Sequence, residues 1–167
     1  KELGNIYSRI MNPTTDVLEQ RVAALDGGAA GLALASGTSA NFYAIINICQ
    51  AGDEVVSARN LYGGTYTMFN DILPQFGIKV HLVDGTDPKA FDAAITDKTK
   101  AVFCETVTNP GLEVSDIKAI ADVAHSHGLP LIVDSTFTTP YLERPIEHGA
   151  DIVVHSLTKW LGGHNAG

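Results

Sequence analysis

Short runs of aliphatic and β-branched residues recur along this chain, and between them the apolar positions fall at helical spacing. Residues 15–25 (TDVLEQRVAAL) place Val17, Leu18, Val22 and Leu25 on one helical face, and Gly27-Gly28 stops the pattern. Residues 31–35 form a short apolar run that predicts a first strand. Ser36-Gly37 then opens a helix in which Phe42, Ile45, Ile46 and Cys49 follow the i, i+3, i+4, i+7 pattern, ended by Gly52. Further strands are predicted at 54–58, 79–83, 101–105, 129–134 and 152–155. Helical patterns cover 64–76, the segment opened by Asp87-Pro88 and running to Ile95, and 115–127, which ends at Gly128. Strands alternating with helices predict βαβ units, hence an α/β fold with a mostly parallel sheet covered by helices. The near-continuous apolar character of the strands fits burial on both faces. No internal repeat, low-complexity tract or linker is present, so the pattern describes one domain or part of one.

Bulk composition narrows the partners. The chain has 167 residues, 45% hydrophobic and 18% charged, the balance of a soluble globular protein. A net charge of -8 argues against nucleic acid or an anionic membrane as partner, because both need a basic patch. No stretch approaches the ~20 apolar residues of a membrane span. Cys49 and Cys104 lie in apolar runs without metal-ligand spacing, which reads as reduced core thiols in a cytoplasmic protein. His148, His155 and His164 form no metal motif, and His125 and His127 read as solvated residues near a helix C-terminus.

The chemistry collects after the strands. In open α/β sheets, ligands bind beyond the carboxyl ends of the strands. The residues met there are Ser36-Gly37-Thr38-Ser39, Tyr62-Gly63-Gly64-Thr65, Glu105-Thr106 leading to Asn109-Pro110, Asp134-Ser135-Thr136, and His155-Ser156-Leu157-Thr158-Lys159. Ser36-Gly37-Thr38-Ser39 is either a plain helix N-cap or a phosphate cradle of free backbone N–H groups. It matches neither GxGxxG nor GxxxxGK[ST], which weakens the dinucleotide and nucleoside-triphosphate readings. Tyr62 is either a surface turn residue or part of a site. Asp134 ends the apolar run LPLIVD, where an ionised carboxylate needs a cation or several donors. Lys159 follows two hydroxyl residues, and Trp160 and Leu161 beside it are expected to desolvate its amine and favour the nucleophilic form. One ligand satisfies the set. A phosphate suits the helix N-terminus and hydroxyls, an aldehyde suits the lysine, a pyridinium nitrogen suits the carboxylate, and an aromatic ring suits a stacking partner. That ligand is pyridoxal 5'-phosphate.

The segments YSRIMNPTTDVLEQRVAALDGG, SGTSAN, LYGGTY, ETVTNPGLEV and LIVDSTFTTPYLERPIEHGADIVVHSLTKWLGGH resemble the Cys/Met-metabolism family of pyridoxal-phosphate enzymes, of the type-I fold. Within it, YSRIMNPT, LYGGTY and RPIEHGADIVVHS look most like O-acetylhomoserine sulfhydrylases. The resemblance implies a Schiff-base role for Lys159, which would also move the substrate's Cα proton. Asp134 would pair with the ring nitrogen, and Tyr62 would stack on the ring and assist proton transfer. Gly37 and Thr38 through their backbone, with Ser156 and Thr158 through their hydroxyls, would hold the phosphate. Asn109 would contact the ring hydroxyl, Thr136 would face the ring opposite Tyr62, and Glu105 would stand behind these groups. Tyr7 and Arg9 would reach the cofactor phosphate of a neighbouring subunit.

The implied organisation is an arm segment at 1–14, then a pyridoxal-phosphate-binding large domain at 15–167 that is incomplete. Its last strand, antiparallel and lying between the sixth strand and the first, and a C-terminal domain are expected beyond Gly167. The implied chemistry is γ-replacement on O-acetylhomoserine by sulfide or another sulfur donor, in a homodimeric unit within a homotetramer. Cystathionine γ-synthase, cystathionine lyases and methionine γ-lyase share nearly all these residues. A catalytically silent assembly or regulatory protein of the same fold is the alternative of another class.

Overall fold

The structure is a computed structural model that describes residues 6–164. Five strands form one parallel sheet: β1 (Glu54–Ala58), β2 (Lys79–Val83), β3 (Thr99–Glu105), β4 (Leu131–Asp134) and β5 (Ile152–Val154), in the order β2-β1-β3-β4-β5. The expected α/β architecture is therefore present. β3, in the middle, is buried along almost its whole length, whereas β2 at one edge is half-exposed. This follows the sequence: AVFCE is apolar on both faces, and KVHLV carries Lys79 and His81. Leu131, Ile132 and Val133 are likewise fully buried.

The helices are α1 (Pro13–Asp26), α2 (Gly37–Ile46), α3 (Gly63–Thr67), α4 (Pro88–Ala94), α5 (Ile117–Ser126) and the short α6 (Thr139–Leu142). Their starts are written in the sequence. Asn12 caps α1 by accepting from the N–H groups of Thr14 and Thr15, with Pro13 in the first turn. Ser36 caps α2 and Asp116 caps α5 in the same way. The helical pattern at 64–76 is one continuous rod of changing pitch, with α3 passing into a π-turn at Met68–Ile72 and a 3-10 turn at Leu73–Phe76. There Phe69 packs edge-on against Phe103 of β3, with ring centroids 5.0 Å apart. α6 and a 3-10 turn at Pro145–His148 are additions that the apolar spacing did not announce.

One expectation is overturned. Residues 31–35 are not a strand: they have no regular structure, and Leu32 is 76% exposed. A strand exists by its ladder, and here the Ala33 N–H donates instead to the Glu19 carboxylate of α1, at 2.7 Å. Gly31 lies so close to α1 that a Cβ would come within 2.6 Å of the Glu19 carbonyl oxygen. Among the described residues the apolar face of α1 looks outward. Val17, Leu18 and Leu25 are exposed, and the helix turns Ala23 and Asp26 inward.

Candidate active site

The chain leaves β1 toward β2 and then crosses back to β3, so the strand order reverses between β1 and β3. A crevice opens at such a switch point, beyond the carboxyl ends of the strands. Glu105, the last residue of β3, stands there, buried. Its two carboxyl oxygens accept from the N–H of Tyr62 (2.7 Å) and the N–H of Asn109 (3.2 Å). One side chain thus fixes the segments that follow β1 and β3. Tyr62 opens α3 with its ring half-exposed, and a Cβ on Gly64 would lie 2.6 Å from that ring. Burial pushes the Glu105 carboxyl up to about 7; the two N–H groups pull it down and the charge of Asp134 pushes it further up.

Asp134 pairs in register with Glu105 on the neighbouring strand. Its carboxylate accepts from the Asn41 side-chain amide of α2 (2.9 Å) and from the Thr136 N–H (3.0 Å). These are the several donors that a half-buried carboxylate requires. Thr136 passes the connection on, its hydroxyl accepting from the Ser156 N–H at 2.8 Å. The Ser156 and Thr158 hydroxyls are 3.1 Å apart. They stand at the N-terminus of α2, where a Cβ on Gly37 would lie 2.7 Å from the Ser156 Cβ. Ser36 Oγ takes the Ser39 N–H, while the N–H groups of Gly37 and Thr38, in the first turn, have no acceptor within the helix.

Lys159 sits in the turn after β5, with its N–H on the Ser156 carbonyl (3.1 Å) and its carbonyl taking the Gly163 N–H (2.8 Å). The desolvation expected from its neighbours is absent. Lys159 and Trp160 are both exposed, and Trp160 leans on Phe137 with centroids 6.1 Å apart. The structure therefore brings Tyr62, Glu105, Asn109, Asp134, Thr136, Gly37, Thr38, Ser156, Thr158 and Lys159 to one rim. Tyr7 and Arg9 are exposed in the segment before α1, where the Arg9 guanidinium lies 5.1 Å from the Tyr7 ring centre. Asn41 was not anticipated. Its signal was a polar residue four positions before buried Ile45, on the inward face of α2.

Two histidines also read differently in place. His125 and His127 are not merely solvated, since His125 meets Asp151 at 2.9 Å and His127 meets Asp92 at 2.7 Å.

Comparison with known proteins decides the family. The model for the Cys/Met metabolism PLP-dependent enzymes matches residues 1–167. This chain belongs to that family. An O-acetyl-L-homoserine sulfhydrylase of Leptospira meyeri is 57% identical over 164 residues, covering 98% of this chain and 37% of the relative. A homocysteine synthase of Schizosaccharomyces pombe is 54% identical over 165 residues, covering 98% of this chain and 38% of the relative. The fold matches a Campylobacter jejuni crystal structure described as an O-acetylhomoserine (thiol)-lyase. The TM-score is 0.95 at 44% identity, over 99% of this chain and 41% of that one. That structure carries an N'-pyridoxyl-lysine-5'-monophosphate. The chain spans roughly two-fifths of the length of these relatives.

The residues present fit the family's cofactor. Gly37 lets the N-terminus of α2 come into contact with Ser156, whose hydroxyl lies beside that of Thr158, and together these are the donor set of a phosphate site. Asp134 offers the only kind of group that pairs with a protonated ring nitrogen, and it is braced by Asn41, whose own Oδ1 is buried without a partner among the described residues.

Proposed function

We propose that the full protein is a pyridoxal-phosphate-dependent γ-replacement enzyme of methionine and cysteine biosynthesis, converting O-acetylhomoserine and sulfide to homocysteine and acetate. The observation that carries the reading is the Ser156–Thr158 hydroxyl pair seated on the glycine end of α2, with Lys159 next in the chain and Asp134 on the adjoining strand. The names of the relatives support the choice of substrate.

In this reading the N–H groups of Gly37 and Thr38 and the hydroxyls of Ser156 and Thr158 hold the phosphate. Asp134, kept in place by Asn41 and Thr136, binds the ring nitrogen as a carboxylate. Tyr62 would stack on the ring, Thr136 would face its other side, and Asn109 would reach the ring hydroxyl. Lys159 would be the amine that holds the aldehyde and would then move the proton of the substrate's Cα. When bound, pyridoxal phosphate supplies an electron sink for the carbanion at that carbon. The net change breaks the Cγ–O bond to acetate and forms a Cγ–S bond.

Residues 15–167 are then the larger part of a cofactor domain within a longer chain, and 1–14 an arm whose Tyr7 and Arg9 serve a neighbouring subunit. The working unit is a homodimer, assembled as a homotetramer. Buried free thiols at Cys49 and Cys104 suit the cytoplasm. Among the described residues no helix is long and apolar enough to cross a membrane.

The test is borohydride reduction of the full chain with pyridoxal phosphate, followed by peptide mass spectrometry and by product analysis with O-acetylhomoserine and sulfide. The expected results are an adduct on Lys159 and the appearance of homocysteine and acetate, both lost in Lys159→Ala. No adduct in the wild type overturns the cofactor assignment. An adduct without homocysteine overturns the substrate assignment alone.

A further inference from the structure

A buried histidine–carboxylate pair adjoins the lysine turn and takes no part in the chemistry above. His155, the first residue after β5, places its Nε2 2.7 Å from Oδ2 of Asp26, the last residue of α1. The side chains are 3% and 5% exposed. Asp26 is an odd residue for its place. It stands at the C-terminal end of a helix, where the dipole opposes a negative charge, and burial adds to that cost. Such a group persists when a donor is held against it. A carboxylate only accepts, so the Nε2 of His155 carries the hydrogen.

The next residue in the chain is Ser156, whose N–H is held from the other side by Thr136. Among the described residues the Ser156–Lys159 segment is thus held on both flanks, by Thr136 on one and by α1 through His155 on the other.

We infer that Asp26 and His155 are positioning residues for the cofactor. They clamp the end of β5 to α1 so that the Ser156 and Thr158 hydroxyls and Lys159 stand in register with the glycine end of α2. This inference rests on the cofactor reading above. A purely structural pair would contribute to the stability of the fold and leave the affinity of folded protein for the cofactor alone.

Full-length apoprotein is titrated with pyridoxal phosphate, following the visible absorbance band, for wild type, Asp26→Leu, His155→Leu, the double variant and His155→Gln. Thermal unfolding of each apoprotein is recorded beside it. In the folded variants Asp26→Leu, which removes the acceptor, and His155→Leu, which removes the donor, are expected to raise the dissociation constant about tenfold or more, the scale on which outer-layer supports act on a bound group. The double variant should be no worse than the weaker single one. His155→Gln, whose amide nitrogen offers a donor in place of Nε2, should bind close to wild type. An unchanged dissociation constant in the single variants overturns the inference, whatever happens to the melting temperature. Independent, multiplying effects also overturn it, as does a folded His155→Gln that binds no better than His155→Leu. If Asp26→Leu does not fold, the two His155 variants decide the question. If wild type shows no band and no reducible adduct on Lys159, it is the cofactor reading that has failed.

Discussion

Glu105 holds its proton to a pH at which an ordinary glutamate has long lost it, pushed from 4.5 up to about 7, mainly by burial. The folded state therefore binds that proton more tightly than the unfolded chain. The stabilisation is fully present below about 4.5 and is lost as pH rises through about 7. The whole swing amounts to on the order of 3 kcal/mol. Glu105→Gln is expected to flatten this part of the profile, so that the gap between variant and wild-type melting temperatures shifts in favour of the variant from pH 5 to pH 8. A gap that stays constant over that range, measured by calorimetry, would refute the assignment. The positions that gather at the rim were partly legible. Lys159 and Asp134 stand out in a sequence because a charged residue at the end of an apolar strand is costly. Glu105 was only a faint candidate, since its importance lies in two backbone N–H groups that no side-chain pattern encodes. Asn41, Asp26 and His155 were illegible for a related reason. Each finds its partner far away in the chain, Asp26 and His155 being 129 residues apart.

At the scale of elements, the site depends on how closely α2 approaches the turn after β5. Gly37 permits that approach, and a Cβ there would lie 2.7 Å from the Ser156 Cβ and 3.0 Å from its Cα, so the turn must give way. Gly37→Ala is expected to weaken pyridoxal phosphate binding on the order of ten- to a hundredfold, as displacement of positioning groups does elsewhere. Gly63→Ala, where a Cβ meets nothing within 4 Å, should leave binding unchanged and serves as the control. Equal affinities for the two variants in a cofactor titration would count against the cradle. The five strands from β1 to β5 were readable because runs such as AVFCE and LIVD are too apolar to lie anywhere but inside. The run at 31–35 carried the same signal and failed, since β pairing needs a neighbour and its backbone is engaged by Glu19 of α1 instead. The changing pitch of 63–76 was invisible for another reason: α, π and 3-10 turns share nearly the same apolar spacing, so the sequence pattern does not separate them.

Across the described residues several large apolar side chains are exposed, and one group of them runs on from the segment before α1 into that helix. Ile10, Met11, Val17 and Leu18 are exposed there, Ile10 to 74%, as is Tyr7 beside Arg9. Apolar side chains in such a cluster mark a surface that meets another body. The sequence pattern put Val17 and Leu18 on an apolar face but could not say whether that face looks inward or toward a second subunit, because helical periodicity records only that it is covered. If the cover is a second copy whose cofactor phosphate receives Tyr7 and Arg9, the two halves of each site come from different chains. Arg9→Ala and Lys159→Ala should then each be nearly inactive alone. Mixed, unfolded and refolded together, they should regain activity, since a hybrid dimer holds one site with an intact Lys159 from one chain and an intact Arg9 from the other. If Arg9 serves the site of its own chain, every site in the hybrid lacks one of the two groups and mixing restores nothing. Val17→Lys, placed in the exposed cluster, should lower the recovery by weakening the dimer, with a matching shift to smaller species in sedimentation. Activity regained on mixing that is insensitive to Val17→Lys would mean that the arm crosses between subunits while the face of α1 is covered by some other part of the protein.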